Sequence, residues 1–349
     1  MEAAVRYEDY PGVGRLATPK LGLIWGPTAD FDLKLSWGRS FRAPTLYQRI
    51  NPPWVYLLEG TLRGEREAPP GQTVILIDGG NPDLSPEKAS SLSASFVLHP
   101  QSMPGLEASV SAFKVNYSNR VVAPIASWSR ALIDPAFADL INLLPGAEAI
   151  ASAIALSPTG LDDQTGFGTP FDPTSVYAIM DARYRNVAQD RIKGIDLAVR
   201  YRFELTDAGS FELYGNASYL DTSRKLFPAS GPIDLSGTIF NPPRFKMRSG
   251  LGWSRSALMI NLIANYIGGV TDNRLTETDK VSGLTTFDLS IRHHLGSKAG
   301  GIDIQATALN LFDKMPDRIR QASVIYAPYD STNYSAIGRY LSLSLTKSF

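Results

Sequence analysis

Gly338-Arg339-Tyr340-Leu341-Ser342-Leu343-Ser344-Leu345-Thr346-Lys347-Ser348-Phe349 closes the chain, and the reading of these residues decides the fold. Leu341, Leu343, Leu345 and Phe349 take the odd positions; Tyr340, Ser342, Ser344, Thr346 and Ser348 take the even ones. A period of two belongs to a β-strand with one apolar and one polar face. In a soluble sandwich the polar face meets bulk water, whereas in an outer-membrane barrel the apolar face meets lipid and the polar face the lumen. One strand is compatible with both. About eleven further segments repeat the pattern at lengths suited to a tilted bilayer crossing, and the chain ends on an aromatic residue, which favours the barrel.

Composition narrows the choice further. At 349 residues the chain could make two ordinary domains or a single barrel. Mean hydropathy is close to zero, and no run approaches the roughly 18 apolar residues of a membrane helix, so a helical membrane protein is excluded. Lys plus Arg equals Asp plus Glu at 34 each, and without a basic stripe nothing points to nucleic acid. The absence of cysteine excludes disulfide scaffolds and thiolate metal sites. Met1 runs straight into the alternating Glu2-Ala3-Ala4-Val5-Arg6-Tyr7 with no basic and apolar export segment. The expectation is therefore that a working precursor starts further upstream.

Alternating segments follow one another along the whole chain. Residues 3 to 8 form the first, and after a link at 11 to 17 the second carries Leu21, Leu23 and Trp25. The third sets Phe31, Leu33, Leu35 and Trp37 against Asp32, Lys34, Ser36 and Gly38, and a Pro- and Gly-rich excursion then runs to about residue 86. Leu92, Ala94, Phe96 and Leu98 mark the fourth strand; the fifth covers about 106 to 117, and the longest excursion spans about 119 to 191. Ile195 to Phe203, Phe211 to Tyr219, Phe245 to Trp253, Leu258 to Tyr266, Phe287 to Ile291 and Ile302 to Ala308 continue the series to the closing strand.

Long and short connections alternate, as outer loops and inner turns of a barrel require. Trp25, Phe31, Trp37, Phe211, Tyr219, Trp253, Tyr266 and Phe349 sit on the apolar face near strand ends, where interfacial girdles belong. Asp32, Lys34, Asp196, Arg200, Arg202, Glu212, Lys246, Arg248, Asp288, Arg292 and Asp303 point to the other face. In a dry core each unpaired charge would cost several kcal/mol; a wet lumen accepts them, and cross-strand pairing would stiffen the wall. No open sheet edge survives in hydrocarbon, so about twelve strands either close on themselves or form part of a larger barrel.

Four segments carry a resemblance to TonB-dependent outer-membrane receptors. Ser40-Phe41-Arg42-Ala43-Pro44-Thr45-Leu46 resembles the family's "fraP" segment, and Asn81-Pro82-Asp83-Leu84-Ser85-Pro86-Glu87-Lys88 its "NP-L-PE" lead into a strand. Tyr177 to Asp196, containing Arg185-Asn186 and then Lys193-Gly194-Ile195-Asp196, is similar to its "N-…-GiD" strand entry, and Leu309-Asn310-Leu311-Phe312-Asp313-Lys314 to "NLFDK". Together with the terminal Phe349 they span nearly the whole chain in the family's order. The resemblance implies a barrel of about 22 strands with a plugged lumen, which takes up iron chelates, cobalamin or carbohydrate with energy from the inner membrane. The expected fold class is thus all-β, an antiparallel transmembrane β-barrel of about twelve strands, the open C-terminal part of the larger barrel over residues 1–349. No signal peptide, plug or energy-coupling box is legible. Expected partners are outer-membrane lipid of a Gram-negative bacterium, the barrel-assembly machinery, a small-molecule ligand, and TonB only through the N-terminal part.

Within the first excursion Trp54, Tyr56, Arg63 and Arg66 combine aromatic and cationic groups suited to an anionic chelate or a sugar ring, or else pack the loop on its neighbours. Pro135 to Leu156 is apolar enough for short helices folded over the barrel mouth. Tyr340, Leu341, Leu343, Leu345 and Phe349 resemble the insertion signal read by the assembly machinery. The alternative is a self-closed small barrel, an adhesin or a lipase. Catalysis is not expected: His99 falls in a turn, His293 and His294 point to opposite faces, and there is no G-x-S-x-G. Three histidines without ligand spacing give no metal site, and no cofactor is expected.

Overall fold

The computed structural model describes residues 1–10, 14–63, 71–125, 131–227, 231–274, 277–297, 300–320 and 327–348. Its strands, in chain order, are β1 (Glu2–Tyr10), β2 (Gly14–Thr28), β3 (Phe31–Arg42), β4 (Trp54–Glu59), β5 (Thr73–Asp78), β6 (Glu87–Leu98) and β7 (Leu106–Val122). There follow β8 (Ile141–Leu143), β9 (Leu161–Asp163), β10 (Val176–Asp181), β11 (Arg185–Leu205), β12 (Gly209–Lys225) and β13 (Ile233–Asp234). The remainder are β14 (Phe245–Arg255), β15 (Leu258–Ile267), β16 (Val270–Asp272), β17 (Asp279–Val281), β18 (Leu284–Ser297), β19 (Gly300–Leu309) and β20 (Tyr340–Ser348). Two α-helices, α1 (Leu46–Ile50) and α2 (Ala147–Ile154), lie in the long connections.

One antiparallel sheet runs β1-β2-β3-β6-β7-β11-β12-β14-β15-β18-β19-β20, with β13 beside β12. Sequential neighbours pair throughout, so contacts are formed by successive hairpins. Register carries the apolar face unbroken from strand to strand. Leu343 opposes Ala306, then Ile291, Ile260, Trp253, Phe211 and Phe203 follow in one row. On the other half Leu197, Val110, Phe96, Leu33 and Trp25 make a second. A one-residue slip anywhere would turn a whole strand's apolar set to the wrong side.

Among the described residues β1 pairs only with β2 and β20 only with β19. The twelve-stranded wall does not close on itself, and both outer edges keep free N–H and C=O groups.

Aromatic side chains concentrate at the short-turn end, where Phe31 meets Phe96 at 5.2 Å and Phe203 stacks on Phe211 at 5.3 Å. There the Trp253 indole N–H donates to the Ala208 carbonyl at 2.7 Å. Tyr266 stands near the loop end of its strand, whereas Trp37 and Tyr219, expected near strand ends, stand several residues inside theirs because β3 and β12 continue past the apolar part of their face. The turn before Trp253's partner depends on Gly209, whose φ of +93° suits glycine and whose added Cβ would lie 2.3 Å from the Ser254 carbonyl. On the polar face charges pair across strands, Arg200 and Arg202 with Glu212 and Arg292 with Asp303 at 3.0 Å, and Asp32 shares a hydrogen bond with the His99 ring at 3.3 Å. Each exposed pair contributes at most about 1 kcal/mol, so their effect is to align side chains along the wall.

Two expectations need adjusting. The link expected at 11 to 17 is shorter, since β2 already starts at Gly14, and the longest excursion ends at Arg185, because β11 continues well beyond the apolar part of its face. Those extra residues carry Arg185, Asp190 and Arg191, so the strand rises past any apolar belt into polar surroundings.

Three of the long connections share a core above β12 to β20. Ile239, Val270, Val281, Leu284, Ile319 and Tyr334 pack together. Asp330, wholly buried, accepts from the backbone N–H of Phe240, Thr332 and Asn333. Tyr334 donates its hydroxyl to the Gly268 carbonyl at 2.7 Å. Burial first, then the nearby Asp330, pushes that hydroxyl up to about 12. A raised tyrosine pKa stabilises the fold fully below about pH 10, the unfolded value, and the contribution is lost as pH rises through 12. We expect limited proteolysis to show this cluster loosening between those limits. Tyr334→Phe should remove that pH step and cost about 1 kcal/mol; an unchanged step would assign it elsewhere.

Candidate functional site

The two longest connections contain the best-buried residues of the protein. Trp54-Val55-Tyr56-Leu57-Leu58-Glu59 and Thr73-Val74-Ile75-Leu76-Ile77-Asp78 are near-continuous apolar runs, the pattern of strands covered on both faces. They pair antiparallel at the centre of a five-stranded sheet ordered β8-β10-β5-β4-β9, in which β10 joins β5 and β9 joins β4 in parallel. Val55, Leu57, Ile75, Ile77 and Ile179 face α2 through Ile150 and Ala153. Leu58, Val74, Leu76, Ala178 and Met180 face Phe137, Leu140 and Phe227. Val55, Val74, Ile75, Leu76 and Met180 have no exposure at all. What the sequence presents as two loops is thus one layered unit. The short helices expected in 135 to 156 are present: a 3-10 turn at Pro135–Leu140 and α2, split by β8.

Polar side chains fasten this unit to the wall, and they come from the segments that carry the family resemblance. After Arg42 the chain leaves β3 through Pro44 and enters α1 by a capping box. Thr45 Oγ1 accepts from the Gln48 N–H at 3.2 Å, and Gln48 Oε1 accepts from the Thr45 N–H at 2.9 Å. Asn81 Nδ2 donates to the Tyr184 carbonyl at 3.0 Å. Asn186 Oδ1 accepts from the Ser85 N–H at 2.7 Å, while its Nδ2 donates to the carbonyls of Ser85 and Asn119, each at 2.8 Å. Buried Glu87 accepts from the Val121 N–H at 2.8 Å, and buried Asp190 holds Arg120 at 2.7 Å and Arg224 at 2.8 Å. Just outside β11, burial works to raise the Asp181 carboxyl, but Arg183 and Arg185 outweigh it and hold it below the usual carboxylate range. Asn310 closes the last loop in the same manner, bonded to the Lys314 N–H and carbonyl.

Trp54 and Tyr56 lie on one face of β4 with rings stacked 6.5 Å apart at 12°. Trp54 stays exposed while Tyr56 packs partly into the core. Burial, followed by the charges of Asp78 and Asp162, raises the Tyr56 hydroxyl above its ordinary value. Tyr47 and Tyr184 meet edge to face 6.4 Å apart beside the same Asp78. Arg63 is not with them. It follows the far end of β4, roughly 16 Å along the strand from Trp54, where its N–H donates to Gly60 and its carbonyl accepts from Leu132. Arg66 lies outside the described residues. The surface around Trp54 and Tyr56 is therefore aromatic and acidic, with Tyr47 from the preceding helix and Asp78, Asp162 and Tyr184 from later in the chain. Only the apolar run that ends at Asp78 hinted at this, since a buried strand pair must bring its ends together.

At the other end of the wall Tyr340, Leu341, Leu343 and Leu345 line β20, the three leucines among the most exposed apolar side chains present at 68%, 77% and 69%. Phe349 lies outside the described residues. Among the described residues no group of His, Cys, Asp and Glu is placed to hold a metal ion.

An antiparallel wall with apolar outer rows, short turns on one side and elaborated loops on the other defines the class of outer-membrane-type barrels. The β-barrel of TonB-dependent-receptor-like proteins matches residues 1–311, and the chain belongs to that family, a family of transport receptors. No curated protein matches its sequence. Among solved structures it resembles a mutant of the ferric enterobactin receptor PfeA from Pseudomonas aeruginosa bound to enterobactin, with 18% identity and a TM-score of 0.63 over 98% of this chain and 42% of that one. The siderophore receptor PirA from Acinetobacter baumannii aligns with 17% identity and a TM-score of 0.64, again over 98% and 42%. The FrpB iron transporter from Neisseria meningitidis follows at 13% and 0.53, over 95% and 39%. The chain spans about two-fifths of the length of the structures it matches.

Because both faces of the loop sheet are packed, Leu76→Ala should cost about 2–5 kcal/mol locally. The expected result is faster protease cleavage in residues 43–86 with the β-sheet circular dichroism of the wall retained; equal cleavage would mean the loop sheet contributes no local stability.

Proposed function

We propose that the chain forms part of the outer-membrane barrel of a TonB-dependent receptor in a Gram-negative bacterium, and that its outer loops help capture a scarce nutrient. An iron chelate of the siderophore type comes first among the ligand classes, ahead of cobalamin and carbohydrate. The observation that carries this reading is the chain-long likeness to iron and siderophore receptors combined with an aromatic surface held on a buried loop sheet. Trp54 and Tyr56 are the ligand-contacting residues in this reading, their rings offering stacking surface to a flat chelate or a sugar ring. Asp78 and Asp162 beside them favour a neutral or cationic group at that spot. Arg63 acts separately, at the far end of β4, and Arg66 supplies a further cation to the reading.

The open edges at β1 and β20 motivate the second part of the proposal, that the wall completes its pairing within a larger barrel enclosing a plug, through which TonB delivers energy. Tyr340, Leu341, Leu343, Leu345 and Phe349 serve as the signal for the barrel-assembly machinery. Outer-membrane lipid covers the apolar rows.

Two experiments test these statements on the complete receptor. Trp54→Ala should weaken binding of the cognate ferric chelate about tenfold, the loss of one stacked ring of ~1.4 kcal/mol, with barrel assembly unchanged; undiminished binding would remove Trp54 from the site. Leu213→Arg, on the apolar row, should cost roughly 2–4 kcal/mol of stability in lipid vesicles, whereas Asn216→Arg on the polar face should cost little. Equal effects would contradict a lipid-facing exterior.

A further inference from the structure

The apolar exterior ends abruptly on five adjacent strands, and what replaces it is cationic. Following the alternation upward from Trp37 on β3, Leu92 on β6, Ala112 on β7, Ile195 on β11 and Tyr219 on β12, the same face next presents Arg39, Ser90, Lys114, Lys193 and Asp221. Beyond them come Lys88, Asn116, Arg191 and Lys225. Arg39, Lys88, Lys114, Arg191 and Lys225 line a single concave region of about 710 Å³, with Ser90, Asn116 and Ser118 between them.

Five positive charges converge there without neutralisation. Among the described residues none of the five has a carboxylate within ion-pairing distance; Lys193, by contrast, is paired to Asp221 at 2.9 Å. Asp190 borders the region, but its carboxylate is committed to Arg120 and Arg224 and buried. The opposite face of the same strands behaves differently, pairing Arg200 and Arg202 with Glu212. In a chain with equal numbers of acidic and basic residues, so one-sided a cluster is a local feature of the exterior.

Its height matters. From Ile195 to Phe203 the apolar face of β11 extends roughly 27 Å along the strand, or on the order of 20 Å along the normal at a ~40° tilt. That is about the thickness of an outer-membrane apolar band, so the cations stand at headgroup level on the side of the long loops. Trp37 marks the boundary, with the Arg39 guanidinium 5.8 Å from its ring.

We propose that this surface binds a phosphate-bearing lipid of the outer leaflet. Arg39, Lys88, Lys114, Arg191 and Lys225 receive the phosphate oxygens, Ser90 and Asn116 supply neutral hydrogen bonds, and the acyl chains lie against Leu92 and the row formed by Ala94, Ala112 and Ile195. The site faces lipid and shares no lining residue with the Trp54 surface, so it acts in anchoring or assembly and not in ligand capture. The proposal rests on the membrane placement given above.

The test compares the complete receptor with a Lys88→Gln, Lys114→Gln, Arg191→Gln triple variant in phosphatidylcholine vesicles, with and without added lipid A, its enzymatically dephosphorylated form, or inorganic phosphate. Intact lipid A should bind the wild type and bind the variant roughly a hundredfold more weakly, each basic residue contributing a factor of about five. Dephosphorylated lipid A and free phosphate should bind neither. Equal binding of intact lipid A by both proteins, or equal binding of the dephosphorylated form, overturns the proposal while leaving the membrane reading in place. Failure of both proteins to enter phosphatidylcholine vesicles overturns the membrane reading and this site with it.

Discussion

Backbone hydrogen bonding between sequential strands, locked to a two-residue alternation of side chains, is the constraint on which the rest of the structure depends. A single-layer wall has no interior of its own, so its strands cannot be held by a common core. They are held by ladder bonds and by rows of side chains such as Leu343 to Phe203 that continue only in one register. Every connection consequently emerges at one of two ends, and the long ones emerge together.

The gathering of long connections creates the core that the wall lacks. Leu76, Ile75 and Met180 are buried in the loop sheet, while the wall leucines of β20 are exposed. Val74 to Ile77 could not satisfy both packed faces within either excursion alone; β10 and α2 from one excursion cover β5 and β4 from the other. Burial of β4 within this sheet is what holds Trp54 and Tyr56 as a stacked pair at one end of it.

Charge is arranged with equal asymmetry. The polar face of the wall carries both signs and pairs several of them, as Arg200 with Glu212 and Arg292 with Asp303, which lowers the net field there. The apolar face has no such mixture, and where it gives way on β3, β6, β7, β11 and β12 the replacement is predominantly basic. Asp190 shows how the strand separates the two regimes. Its carboxylate joins Arg120 and Arg224 on one side of the sheet, while its neighbour Arg191 joins the basic cluster on the other.

The period of two was legible along the chain because a side chain's face in a strand follows from its own parity alone. The sequence therefore determined the wall, the lipid-type face, the short turns and the strand order of hairpins. The segments Asn81–Lys88, Arg185-Asn186 and Leu309–Lys314 stood out by resemblance, yet their work as fasteners of the loops, through Asn81, Asn186 and Asn310, needed the folded arrangement. Tertiary structure alone decided that two excursions form one sheet, that Arg63 stands apart from Trp54, and that Asp78 and Asp162 lie beside Tyr56. The sheet pairings and the Tyr56–Asp162 neighbourhood join residues about a hundred positions apart through parallel pairing and shared burial, and such contacts leave no periodic trace in the chain.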